Sequence, residues 1–219
     1  NLTGLTSTDI GYNALHTDDG ALITFLNTED PDWAATQTIA PENVVATAVN
    51  STTINLSWDA IAYTGDAGGY RILFGTISGG PYTFFQQTAD KTATSLPVTG
   101  LNPGTPYYFV IQTRTDAHGQ QQNTVDSENS DEATAATYPT YTVTFETDGT
   151  AGATLSGDTD QTVEYGGNCT AVEANHSVGN HFVDWTGTGG FTSTANPVTV
   201  TNVTMDMTVT ANFAPNQYA

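Results

Sequence analysis

Short runs in which apolar and polar residues alternate recur along most of this chain, and turn-forming residues separate them. Ile54, Leu56 and Trp58 share one face of residues 53–58, and residues 141–146 alternate in the same way. A period of two is the pattern of a half-buried β-strand. The 42 threonines are β-branched and favour strands, while 21 glycines and 9 prolines favour turns. The sequence therefore predicts an all-β chain of many short strands.

The charge balance excludes several classes of partner. The formal net charge is −20, and the only Lys and Arg residues are Arg71, Lys91 and Arg114. Nucleic-acid binding requires clustered cations, so we expect no nucleic-acid partner. No apolar run is long enough to span a bilayer, so no membrane insertion is expected within this fragment. Cys169 is the single cysteine and cannot form an internal disulfide.

Residues 1–40 hold too few apolar positions to form a core of their own. One strand is predicted at residues 21–26, after the turn-forming residues 17–20. The segment is therefore either the tail of an upstream domain or an N-terminal arm that packs on the next module. Pro41 marks the boundary of that module.

Residues 41–138 contain seven predicted strands at the spacing of a β-sandwich. Trp58 ends the second strand, Tyr70 opens the third, and residues 101–107 read Leu-Asn-Pro-Gly-Thr-Pro-Tyr. Together with the approach to the last strand at residues 126–130, these features resemble a fibronectin type III domain. The resemblance implies an immunoglobulin-like β-sandwich with a tyrosine corner. It makes four residues structural, in the core or the corner: Trp58, Tyr70, Leu101 and Tyr107.

Residues 139–214 form a second small β domain of five or six predicted strands, followed by a C-terminal tail at 215–219. Its motifs are Tyr-Gly-Gly at 165–167, Gly-x-His-Phe-Val-x-Trp at 179–185, Asn-Val-Thr at 202–204 and Thr-Val-Thr-Ala-Asn-Phe at 208–213. They resemble the internalin B-type repeats of bacterial surface proteins. The resemblance implies a compact, β-grasp-like strand arrangement with no catalytic residue. Phe182, Trp185 and Phe213 then have structural roles.

This domain departs from the repeat pattern at two positions. His176 stands where the family often has proline, and Asn180 stands where it has an aromatic residue. Both departures affect a predicted loop rather than the core.

Catalytic and transition-metal motifs are absent from the sequence. It contains no Gly-x-Ser-x-Gly elbow, phosphate loop or dinucleotide fingerprint. The four histidines and the single cysteine do not have the spacing of a zinc site. A pair of glycosidase carboxylates is defined by its separation in space, so sequence spacing alone does not decide whether such a pair exists. We therefore predict no catalytic residue and no cofactor.

Calcium is the one metal ion for which the acidic turns offer candidate ligands, because it prefers carboxylate oxygens. None of these turns completes a twelve-residue calcium loop, so plain acidic turns are favoured over a structural calcium site. The candidate ligands are Asp18, Asp19, Asp30, Asp32, Asp158 and Asp160.

Three functions remain open for a chain of this kind. The first is a non-catalytic region of a secreted or cell-surface prokaryotic protein, with modules for spacing, display or adhesion. The second is a binding region for a surface glycan or a protein, with loops such as 116–126 as the contact. The third is a set of accessory C-terminal modules of a secreted hydrolase, whose catalytic domain lies upstream. In each case we expect an extracellular or surface location and neighbouring domains in the same polypeptide.

Overall fold

The computed structural model describes residues 9–217, so residues 1–8 of the predicted N-terminal segment and 218–219 of the predicted tail lie outside it. The chain divides into two compact units, and the boundary lies between Thr137 and Tyr138. We call them unit 1 and unit 2. Within the described residues, no helix is both long and apolar enough to cross a membrane.

The N-terminal arm, residues 9–40, contains a helix where a strand was predicted. Helix α1 spans Gly20–Glu29, and a 3-10 helix follows at Trp33–Thr36. The Asp19 carboxylate caps α1 by accepting hydrogen bonds from the backbone N–H groups of Ala21 (2.8 Å) and Leu22 (3.1 Å). The strand prediction at 21–26 is therefore wrong. A short continuous apolar run does not separate helix from strand, and the N-cap decides the outcome here.

Unit 1 continues as a sandwich of two antiparallel sheets. One sheet has three strands in the order β1-β2-β5. The other has the order β4-β3-β6-β7, with β8 also paired to β6. The strands are β1 Glu42–Asn50, β2 Thr53–Asp59, β3 Gly68–Gly75, β4 Thr83–Gln87, β5 Ser95–Thr99, β6 Pro106–Thr115, β7 Val125–Asp126 and β8 Ala133–Ala136.

The core of unit 1 lies between the two sheets, where the alternating positions meet. Ile54 and Leu56 on β2 face Tyr70 on β3 and Phe109 on β6, and all four are fully buried. The Trp58 ring meets the Tyr70 ring edge-on at 5.2 Å between centroids. The all-β, immunoglobulin-like fold predicted from the sequence is confirmed.

The corner between β5 and β6 is closed by a tyrosine. Tyr107 is almost fully buried, and its hydroxyl oxygen accepts a hydrogen bond of 2.9 Å from the backbone N–H of Asn102. Leu101, also buried, precedes this turn, and its N–H donates to the carbonyl of Thr52. The hydroxyl thus fixes the loop that enters β6.

We expect Tyr107→Phe to lower the free energy of unfolding of unit 1 by about 1–2 kcal/mol, because it leaves the Asn102 N–H without its partner while the ring remains. Urea denaturation followed by tryptophan fluorescence measures this change. Tyr108→Phe is the matched control, since Tyr108 is the neighbouring, less buried tyrosine on β6. Equal stability of Tyr107→Phe and the wild type would contradict the corner assignment.

The connection at 126–132 consists of polar residues, yet much of it is ordered against β6. Val125–Asp126 forms the short strand β7, which raises the strand number of unit 1 from seven to eight. Ser127 and Ser130 are buried, and their hydroxyls accept from the backbone N–H groups of β6. The Glu132 carboxylate accepts hydrogen bonds from Ser78 Oγ (2.7 Å) and from the Tyr82 hydroxyl. Small polar residues of this connection hydrogen-bond to β6, a structural role that their polarity alone does not predict.

Unit 2 is a mixed sheet whose first and last long strands lie side by side. The strands are β9 Thr140–Thr147, β10 Thr154–Ser156, β11 Asp160–Glu164, β12 Glu173–Asn175, β13 Asn180–Gly187, β14 Phe191–Ser193 and β15 Met207–Pro215. The main sheet has the order β11-β9-β15-β13-β14, and β10 pairs with β12. Among the described residues of unit 2, the β9–β15 pair is parallel and the other strand pairs are antiparallel. A central parallel pair with an antiparallel strand on each side matches the β-grasp-like arrangement that the resemblance implied.

Trp185 on β13 is the centre of the unit 2 core and is fully buried. The rings of Phe145 and Phe182 pack on it at centroid distances of 5.9 and 5.8 Å. Phe182 and Phe213 are half-buried and lie edge-on to each other at 6.1 Å. The Trp185 indole N–H donates to the carbonyl of Ala195 at 3.1 Å.

One expected strand of unit 2 is not formed, and two strands were not foreseen. The alternating residues 196–200 are typical of a strand, but they form an isolated bridge between Val198 and Val172 and accept a hydrogen bond from the Cys169 N–H at Val200. Asn196 instead uses its side-chain amide on both backbone groups of Ala174. Strands β10 and β14 were not predicted. Each has three residues, which is too short for a period of two to be visible.

Candidate functional site

The N-terminal arm covers one end of the unit 1 sandwich. This end carries the loops that follow β2, β4 and β6, because Gly68 at the start of β3 pairs with Thr115 at the end of β6. The ring of Tyr12 packs edge-on against His118 (5.2 Å) and Tyr63 (5.8 Å). Gln121 is hydrogen-bonded to the arm as well. The loop at 116–126, which was predicted as a binding contact, is therefore partly covered by the chain itself.

Lys91 is buried beneath this arm, although nothing in the sequence pattern predicts its burial. Its Nζ donates to Thr115 Oγ1 at 3.0 Å and lies 4.1 Å from the centre of the Tyr63 ring. Thr115 Oγ1 is in turn 2.7 Å from Thr38 Oγ1 on the arm. Burial lowers the pKa of Lys91, while the negative charge of Asp66 opposes that shift. Lys91 is thus linked to the arm through the Thr115 hydroxyl.

The two arginines are held by one carboxylate. Arg114 binds Asp126 through two hydrogen bonds of 2.7 Å, and Arg71 Nη1 lies 3.2 Å from the same carboxylate. The hydrogen bond from Arg114 holds the pKa of Asp126 below its usual range, although partial burial opposes it. All three cations of the chain thus have partners inside unit 1, and residues 9–217 form no cationic patch.

Unit 1 contains an acidic cleft of about 750 Å³. It lies between the arm, the start of β1 and residues 127–131. The carboxylates of Asp18, Glu42, Glu128 and Asp131 line it, and no lysine or arginine does. Because its charge has one sign, the cleft disfavours anionic ligands.

A second cavity, of about 410 Å³, lies along β11 at the edge of the unit 2 sheet. Asp158, Glu164 and Asn168 contribute to its polar lining. Tyr165 follows β11 directly and is 53% exposed, and its ring packs against Tyr141 at 6.4 Å. The Tyr165 N–H donates to the carbonyl of Pro139 at 2.9 Å, so the backbone that presents this ring is fixed.

Four of the six candidate calcium ligands accept hydrogen bonds from other groups of the protein. Asp30 accepts from the N–H of Ile10, Asp158 accepts from the N–H of Asp160, and Asp160 accepts from Thr144 Oγ1. Asp19 caps α1, while Asp18 and Asp32 lie in exposed turns. Within the described part of the chain, no three His, Cys, Asp or Glu residues are grouped so that they could hold a metal ion.

The histidines lie in separate environments. His118 faces Asp66 at 3.5 Å, and His16 faces Asp18 at 3.7 Å. His176 contacts the carbonyl of its neighbour Ser177, and His181 contacts the side chain of Asn216. Cys169 is buried, and burial raises the pKa of its thiol, which keeps it protonated and unreactive.

We expect the melting temperature to rise between low and moderate NaCl concentration, because salt screens the repulsion of 20 net negative charges. Differential scanning calorimetry measures the shift. CaCl₂ at matched ionic strength should give the same melting temperature. A further rise in calcium would identify one of the aspartate turns as a binding site, and a fall with NaCl would contradict the role of charge repulsion.

Two family models match the chain in succession. The fibronectin type III domain matches residues 39–128, and the divergent InlB B-repeat domain matches residues 141–217. No curated protein matches the chain.

Solved structures match the first module. An Fn3-like protein from Clostridium thermocellum is 33% identical, over 43% of this chain and 91% of that chain, with a TM-score of 0.32. A myokine is 21% identical over 47% and 99%, with a TM-score of 0.37. A titin module from human cardiac muscle is 18% identical over 43% and 86%, with a TM-score of 0.34.

Proposed function

Because the chain carries a fibronectin type III domain followed by a divergent InlB B-repeat domain, we propose that it is a spacing and display segment of an extracellular or cell-surface protein. Modules of these two types are typically non-catalytic and are typical of surface proteins. The observation that carries the proposal is the path of the chain, which enters each unit at one end of its strands and leaves it at the other.

In unit 1 the chain enters at the end of the sandwich where Glu42 of β1 pairs with Asp59. It leaves at Thr137. The Thr137 N–H donates to the carbonyl of Thr105, and the Thr137 hydroxyl donates to the carbonyl of Asn102. That exit lies beside the turn after β1, at the opposite end of the sheet. Strand β1 has nine residues, so the two ends are separated by about 30 Å.

In unit 2 the chain enters through β9 and leaves through β15. These strands are parallel, with Met207 beside Val143 and Ala211 beside Thr147. The start of β9 and the end of β15 therefore lie at opposite ends of the sheet. A module of this kind adds its own length to the distance between the domains that flank it.

Display on a cell tests the spacing role. The chain is fused between a surface anchor and a terminal epitope, and binding of antibody-coated beads to the epitope is compared with a fusion that lacks the chain. We expect the epitope to be reached only when the chain is present and folded. Equal bead binding by the two fusions would overturn the proposal.

The accessory-module alternative differs in what the polypeptide does as a whole. It places a hydrolase upstream and requires these units to hold that enzyme on its substrate. For the chain itself, both alternatives predict no turnover of polysaccharides or peptides. Hydrolysis by the purified chain would contradict both.

Binding of a neutral glycan is the second candidate function, supported by the Tyr165 edge of unit 2. An exposed, rigidly held aromatic ring stacks on the apolar face of a sugar, and the carboxylate and amide groups of the nearby cavity bind hydroxyls. Unit 2 contains no lysine or arginine, which disfavours sulfated or phosphorylated ligands.

Isothermal titration calorimetry with a soluble neutral β-glucan, heparin and polylysine tests this candidate. We expect heat of binding from the glucan alone, lost in Tyr165→Ala and retained in Val178→Ala, a change at a fully exposed turn. Binding of polylysine alone, or glucan binding that survives Tyr165→Ala, would reject the site. So would the absence of glucan binding.

A further inference from the structure

The terminal strands of unit 2 form its central pair. Strand β11 flanks β9 on one side, and β13 flanks β15 on the other. The side chains of Val143, Phe145, Val209 and Ala211 seal the core face of the pair and are buried. The hydrogen bonds between β9 and β15 are therefore shielded at both edges and on one face from the water that would replace them.

A pull on the two ends of unit 2 acts along this pair. One end draws β9 toward its start and the other draws β15 toward its end. Because the strands are parallel, these directions oppose each other along the strand axis, and the load shears the pair. All the hydrogen bonds between the strands then carry the load together. In an antiparallel hairpin pulled from its open end, they separate one at a time.

Side-chain carboxylates extend the pair beyond the paired residues. At the start of β9, the N–H of Thr142 donates to Asp206 Oδ1 at 2.8 Å. At its end, the N–H of Asp148 donates to the carbonyl of Ala211 at 3.0 Å. The Asp148 carboxylate also accepts from the N–H of Phe213 at 2.9 Å. These bonds continue the ladder at both ends and cross between the same two segments.

We propose that unit 2 is a mechanical clamp, in which the shielded parallel pair β9–β15 resists tension transmitted along the polypeptide. The inference deepens the proposed spacing role and rests on it, since a spacer that connects a surface to a bound object is placed under tension. The physiological load would arrive through the domains on either side of this chain.

Single-molecule pulling of the full chain tests the clamp. Handles at the two termini load unit 2 in shear, and its 82 residues, Tyr138–Ala219, identify its unfolding by a length gain of roughly 25–30 nm. In a second construction, Tyr138→Cys and Glu164→Cys carry the handles and Cys169→Ala removes the native thiol. Thr140 pairs with Glu164, so this geometry unzips β9 from β11. We expect the unfolding force of unit 2 to fall by at least half.

A pair of matched variants locates the resistance. Asp148→Ala removes the bond to Phe213 and should lower the unfolding force in the terminal geometry. Asp158→Ala removes a local turn hydrogen bond to the Asp160 N–H, which does not join β9 to β15, and should leave the force unchanged.

Equal unfolding forces in the two pulling geometries, or equal effects of the two variants, would overturn the clamp. Failure of the clamp is separable from failure of the spacing role. A spacer without a clamp would still present the epitope in the display experiment, but would unfold at similar forces in both geometries.

Discussion

We expect Trp185→Ala to lower the free energy of unfolding of unit 2 by about 3–5 kcal/mol, the cost of truncating a large aromatic side chain in a packed core. Trp185 is fully buried, two phenylalanine rings pack on it, and its indole N–H is hydrogen-bonded. The surrounding residues lie on several strands and loops of unit 2, which limits how far they can collapse into the space left by the indole. Thermal and denaturant unfolding of the full chain resolve the change if the two units melt separately.

Trp58→Ala should have a similar effect on unit 1, for the same reason, and leave unit 2 unchanged. The Trp58 indole nitrogen has no hydrogen-bond partner among the described residues. Trp58→Phe should therefore cost much less than Trp58→Ala. Val178→Ala, at a fully exposed position, is the control for unit 2. A loss below about 1 kcal/mol in either alanine variant would mean that the tryptophan does not support its core.

The second large effect is expected at Tyr70, where Tyr70→Phe should lower the free energy of unfolding of unit 1 by about 2–4 kcal/mol. The buried hydroxyl accepts from the N–H of Ile61 at 2.8 Å and donates to the carbonyl of Lys91 at 3.0 Å. Its removal leaves two buried backbone groups without partners, whereas Tyr107→Phe leaves one.

Equilibrium urea unfolding of both tyrosine variants measures this difference. The order of the two losses is the informative result, because each substitution keeps the ring and removes a single oxygen. An equal loss in the free energy of unfolding for Tyr107→Phe and Tyr70→Phe would contradict the assignment of two hydrogen bonds to the Tyr70 hydroxyl. It would also contradict a role for this hydroxyl in fixing the loops that follow β2 and β4, which contain Ile61 and Lys91.

The candidate site was predicted less completely than the fold. The sequence identified acidic turns and the loop at 116–126, but it did not reveal that Tyr12 covers part of that loop. Nor did it show that the only lysine is enclosed beneath the arm, or that Asp126 holds both arginines. Each of these contacts joins residues far apart in sequence. The one available signal was the scarcity of cations, since three cations among 23 carboxylates must lie close to negative charge.

The sequence by itself determined the all-β class, the two module families and most of the long strands. Strands β2, β3, β6, β9, β13 and β15 each display their buried face as a period of two, which is a local property of the chain. The motifs of both modules are local as well. Tyr107, for example, bonds to a residue only five positions away.

Only the tertiary structure decided which strands are neighbours and what the short or polar segments become. The helix at 21–26 is an exception, because its cause is local: Asp19 caps it directly, although the apolar run suits a strand equally well. The parallel pairing of β9 with β15 joins segments about 64 residues apart and leaves no mark on the pattern of either strand. The alternation of apolar residues in a strand indicates which face is buried, because buried positions favour apolar side chains. A strand's hydrogen-bonding partner depends on backbone groups that every residue shares, so the parallel pairing of β9 with β15 became visible only in the assembled sheet.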